Sequence, residues 1–70
     1  MTRESLAQII KNRRKELKIT QIELALLSDI STRQLSDIET AQTTTTIDTL
    51  SKICETLGFT IELKLKGVEL

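Results

Sequence analysis

Apolar side chains recur along this chain at two periods, and the change of period divides it. Leu6, Ile9, Ile10 and Leu17 return at helical spacing, which predicts a first helix over about residues 4–17. A second segment, about 21–27, is apolar on most sides (Ile22, Leu24, Ala25, Leu26, Leu27), the pattern of a helix buried between neighbours. A third, about 32–39, buries Leu35 and Ile38 and turns Thr32, Arg33, Ser36 and Asp37 outward. Residues 40–46 are a polar loop whose run of β-branched threonines disfavours helix, and Thr46 is placed to cap the next helix. That fourth helix, about 47–57, sets Ile47, Leu50, Ile53, Cys54 and Leu57 on one stripe, and Gly58 is a natural left-handed stop. Beyond Gly58 the period falls to two. Phe59, Ile61, Leu63 and Leu65 alternate with Thr60, Glu62, Lys64 and Lys66, which predicts a strand over 59–66 with one apolar and one charged face.

Two of the helix starts carry the same punctuation. Thr20-Gln21-Ile22-Glu23 and Ser31-Thr32-Arg33-Gln34 each have the form of a capping box. In such a box the hydroxyl accepts from a free amide of the first turn, and the Glu or Gln reaches back to the cap. Ile19 with Leu24, and Ile30 with Leu35, complete hydrophobic staples around the two caps. Two short helices starting eleven residues apart leave room only for a tight turn around Ser28-Asp29-Ile30. That is the layout of a helix-turn-helix, whose second helix enters the DNA major groove.

A lone strand leaves its amides and carbonyls unpaired. The economical solution is pairing with the same strand of a second copy across a two-fold axis, through Phe59, Ile61, Leu63 and Leu65; the other reading is a tail packed loosely on the helices. The expected organisation is a DNA-binding unit over 1–58, a dimerisation strand over 59–66 and a tail over 67–70. Seventy residues make one small domain, in which packing or association must support stability.

Net charge is zero, which argues against nucleic-acid binding, but its distribution softens the argument. Residues 1–18 carry six basic and two acidic side chains, and residues 19–57 carry two basic and six acidic. A local basic face that includes Arg13, Lys15 and Lys18 can bind phosphates, or can be an ordinary solvated helix face. There is no histidine and no glycine-rich phosphate loop, and the single Cys54 is too little for a metal site or an internal disulfide. An enzyme is therefore not expected, nor a cofactor. Cys54 reads as a small core residue. No apolar run reaches membrane-spanning length and no secretory apolar segment opens the chain, so a reducing cytoplasm is the expected compartment.

The string Thr20-Gln21-x-Glu23-Leu24-Ala25, Ile30-Ser31, Leu35-Ser36-x-Ile38-Glu39, Ile47-Asp48-Thr49-Leu50, Ile53-Cys54 and Leu57-Gly58 resembles the Xre/Cro-like family of phage-repressor helix-turn-helix proteins. The resemblance implies a mostly α fold of four to five short helices, to which the C-terminal strand, pairing across a dimer, is added. The alternating strand further resembles that of HipB-type antitoxins. On this resemblance the partners are double-stranded DNA with a palindromic operator, a second copy of the chain, and a kinase-like toxin. The alternative is a protein-interaction module on the same scaffold with little DNA affinity.

The DNA-binding set the resemblance implies is Gln21, Ser31, Thr32, Arg33, Gln34, Ser36, Asp37 and Thr43. Gln21 matches a glutamine that bonds phosphate, and Thr32 and Arg33 match positions that read base edges. Arg33 suits a bidentate contact to guanine. Gln34 has two roles open to it, the capping box or a phosphate or adenine contact. Asp37 stands at a third reading position, where a carboxylate can accept from cytosine but is repelled by phosphates. Arg14 and Glu39 match a structural pair joining the first helix to the end of the third. Two departures from the family pattern stand out. Asp29 replaces the usual turn glycine, and Ala41-Gln42-Thr43-Thr44-Thr45 replaces a basic loop.

Overall fold

The computed structural model describes residues 1–63. Among these residues four helices follow one another: α1 (Arg3–Glu16), α2 (Gln21–Leu27), α3 (Thr32–Glu39) and α4 (Ile47–Leu57). Every helix starts on a hydroxyl. Thr2, Thr20, Ser31 and Thr46 hold extended backbone and accept from the amide three residues on, at 3.0, 3.0, 3.0 and 3.2 Å. Each cap satisfies one of the amides that a helix start leaves free. The full box closes at α2, where the Thr20 amide donates to Glu23 Oε1 at 3.0 Å. It also closes at α1, where Ser5 plays the returning part, an unforeseen box. At α3 only half of the expected box forms. Ser31 caps the Gln34 amide, but Gln34 makes no return bond to Ser31 and its side chain stays exposed.

Every helix also ends the same way. Lys18, Asp29, Ala41 and Gly58 take φ of 57°, 56°, 58° and 79°. The next amide then donates back to the carbonyl five residues earlier: Ile19 to Arg14 at 3.3 Å, Ile30 to Ala25 at 3.0 Å, Gln42 to Asp37 at 2.8 Å and Phe59 to Cys54 at 2.8 Å. These are Schellman stops, which satisfy orphan carbonyls and reverse the chain. Only Gly58 has no Cβ to strain; Asp29 tolerates the left-handed region better than Lys18 or Ala41.

The core is Ile10, Leu24, Ala25, Leu35, Ile38, Ile53 and Leu57, with Leu6, Ile19, Ile30 and Leu50 packed around it. Both staple residues, Ile19 and Ile30, thus sit against the same core as Leu24 and Leu35. Several apolar residues expected inside are outside. Ile9 and Leu17 of the α1 stripe are exposed, because α1 turns Ala7 and Ile10 towards α3 and α4 and needs only that narrow face. Ile47 stands exposed at the start of α4, and Cys54 is only half-buried. The main correction concerns α2. A seven-residue helix packed on α3 and α4 buries one stripe, Leu24, Ala25 and its C-cap Ser28, while Ile22, Leu26 and Leu27 remain 66, 78 and 65% exposed.

The expected strand is absent among the described residues. Phe59 to Leu63 have no regular secondary structure, since a strand exists only through ladder bonds to a neighbour and one copy supplies none. Leu63 is 97% exposed, and Leu65 with the tail 67–70 lies outside the described residues.

Candidate nucleic-acid interface

The exposed side of α3 is built from its first turn outward. Ser31, Thr32, Arg33 and Gln34 are exposed, and Ser36 and Asp37 are half-buried one turn later. Leu35 and Ile38 anchor the opposite side in the core. The Arg33 side chain is 86% exposed, and its Nε donates to Asp37 Oδ1 at 3.4 Å. Asp37 is therefore not a lone carboxylate on this face, as its sequence position suggested, but half of an ion pair with the chief base-reading candidate. The last turn is pinned by Thr40, whose hydroxyl donates to the Ser36 carbonyl at 2.8 Å.

What holds α3 in place is a node of three side chains. Arg14 grips Glu39 with both arms of its fork, Nε to Oε2 at 2.8 Å and Nη2 to Oε1 at 3.0 Å. Its remaining nitrogen donates to the Ile19 carbonyl at 3.0 Å. Gln21 Nε2 donates to Glu39 Oε1 at 3.2 Å. The Glu39 side chain is 1% exposed, so three donors from two other helices replace its water. The sequence resemblance suggested the Arg14–Glu39 pair. It did not reveal the link from Gln21, which lies at the start of α2 and ties all three helices at one point. Gln21 remains half-buried rather than sealed, and its Nε2 carries a second N–H beside the one given to Glu39.

The basic residues divide into two groups. Arg13, a phosphate candidate from sequence, is occupied with structure. Its Nε donates to the Leu57 carbonyl at 2.9 Å, capping α4, and its guanidinium lies 5.8 Å from the centre of the Phe59 ring. Lys15 and Lys18 are exposed. Thr43 lies exposed in the loop between α3 and α4, donating its hydroxyl to the Thr44 carbonyl at 3.1 Å.

Among the described residues two titratable groups depart from their ordinary values. The Thr20 amide, and after it the Thr20 hydroxyl, hold the Glu23 carboxyl below the usual range. Burial pushes the Cys54 thiol up, which keeps it protonated and a poor nucleophile. Among the described residues no cluster of histidine, cysteine or acidic side chains is placed to hold a metal ion. No helix among them is long and apolar enough to cross a membrane.

Residues 10–64 match a family model described as helix-turn-helix. Among solved structures the chain is similar to the clp gene regulator ClgR from Corynebacterium glutamicum, with 29% identity and a TM-score of 0.80. The likeness covers 84% of this chain and 63% of that one, so this chain spans less than two thirds of that protein's length. No curated protein matches the sequence.

Proposed function

This chain belongs to the helix-turn-helix family, and from that premise we propose that it is a DNA-binding transcription regulator, not an enzyme, with α3 as its reading helix. The observation that carries the reading is the fixed, outward presentation of Thr32, Arg33 and Gln34 by a helix clamped through Glu39 to α1 and α2. Arg33 reads guanine in the major groove, and Thr32 contacts the neighbouring base edge. Ser31, Ser36, Gln34, Gln21 and Thr43 supply hydroxyl and amide groups to phosphates, which fix register without reading sequence. The likeness to a gene regulator supports the same class.

In its finer form the proposal is a repressor that acts as a dimer on a palindromic operator in the cytoplasm. The dimer pairs Phe59, Ile61, Leu63 and Leu65 of two copies. The finest version is an antitoxin that represses its own operon and neutralises a kinase-like toxin. Support for it is the alternating C-terminal segment. A second reading, a protein-interaction module, draws on the zero net charge, the uncharged threonine loop and the exposed Ile22, Leu26 and Leu27.

The test is binding of the purified protein to the DNA upstream of its own gene at several salt concentrations, against scrambled DNA. Preference for the upstream DNA that weakens modestly as salt rises supports the regulator, with a shallow slope because few cations are free to replace counterions. R33A is expected to lose about 1–3 kcal/mol of discrimination at one base pair per site while the domain stays folded. Equal binding to scrambled DNA at low salt favours the interaction module, and a preference that survives R33A removes α3 from its reading role.

A further inference from the structure

Asp37 presents a problem for a helix that faces DNA. It is a carboxylate on the groove side, where phosphates repel it. It is also misplaced for its own helix. Arg33 lies in the first turn of α3 and Asp37 in the last, so each charge opposes the helix dipole, and the order Arg then Asp at i, i+4 is the less favourable one. Helix stability therefore does not explain the pair.

Its geometry does. The Arg33 side chain is 86% exposed and would sweep a wide arc if free, whereas the Asp37 side chain, 36% exposed, is rooted closer to the core. The one bond between them uses Nε of Arg33, on the side of the guanidinium. Among the described residues neither Nη group has a protein partner, and the two form the fork that matches O6 and N7 of guanine. Holding the side of an arginine while freeing its end removes rotamer entropy before binding rather than during it.

We propose that Asp37 is a positioning residue: its carboxylate aims Arg33 at a guanine, so that sequence preference at that base pair depends on Asp37 although Asp37 touches no base. The proposal rests on α3 being the reading helix. A consequence separates it from simple charge repulsion. Removing the carboxylate raises affinity for DNA of any sequence, because a negative charge leaves the interface, and at the same time lowers selectivity.

The experiment is selection from a duplex library with a randomised centre, run in parallel with wild type, R33A, D37A, D37E and R33A/D37A. Melting curves of each variant establish folding. Wild type is expected to enrich a guanine by roughly tenfold or more at one position per site, and R33A to lose that enrichment. D37A is expected to bind scrambled DNA a few-fold more tightly and to keep only about a third or less of the guanine preference. D37E, which still reaches Arg33 across one turn, restores most of it. In the R33A background, D37A changes no base preference. Failure of wild type to enrich any sequence sinks the DNA-reading function itself. If wild type enriches guanine and R33A abolishes it while D37A leaves it intact, the positioning role is overturned and the reading helix stands. If D37A alters a different base pair in the R33A background, Asp37 reads a base directly and the proposal is likewise overturned.

Discussion

At the scale of single residues, backbone strain lies where the sequence concealed it, at Lys18 and Ala41, whereas the buried charge lies where the sequence placed it, at Arg14 and Glu39. Ala41 holds φ of 58° with no side-chain group to compensate. Replacing it with glycine removes the steric penalty and loses some backbone entropy, so A41G is expected to stabilise by about 0.5–1 kcal/mol. Thermal denaturation reads this as a rise of several degrees. The buried Arg14–Glu39 pair works in the opposite sense. R14A leaves the Glu39 carboxylate with only Gln21 as partner and is expected to cost about 3–5 kcal/mol in urea unfolding, much of the stability of so small a domain. R14M/E39L, which removes both charges together, is expected to retain far more. The pair was legible because two charged residues match a known pattern. The third member was not, since a glutamine at a helix start serves equally well as surface. Asp37 was legible only as a position; its contact with Arg33 depends on a rotamer.

At the scale of elements, the chain's own punctuation fixed the fold. The capping hydroxyls and the apolar periods placed α2, α3 and α4 at the bounds observed and α1 within one residue at either end. Hidden from sequence was how much of each helix the neighbours would cover. α2 reads as apolar nearly all round, but burial depends on how many elements surround a helix, and α2 packs chiefly on two. The box at its start gives a pH prediction. Glu23 has a depressed carboxyl pKa in the folded protein, so its contribution is present at neutral pH and is lost as pH falls below the ordinary carboxylate range and through the folded value. Wild type is expected to unfold at higher urea than E23Q at neutral pH, with the gap closing on acidification. A gap that is constant with pH rejects this account of the box.

At the scale of the whole molecule, association turns on the segment after Gly58. The alternation from Phe59 onward is plain in the sequence, yet a strand needs ladder bonds to a neighbour, and one copy supplies none among the described residues. In sedimentation, L63P is expected to shift the protein to monomer and weaken operator binding, because proline removes a ladder donor at a position fully open to solvent. A variant that remains dimeric relocates the interface. The length of α3 makes association matter. Eight residues extend about 12 Å, the rise of some 3–4 base pairs. About four letters distinguish only about 250 words, against the roughly 10⁶–10⁹ competing sites that a genome presents. A word that short recurs thousands to millions of times. A helix of this size cannot name a locus by vocabulary; the address has to be written in syntax, as the distance and orientation between two such words.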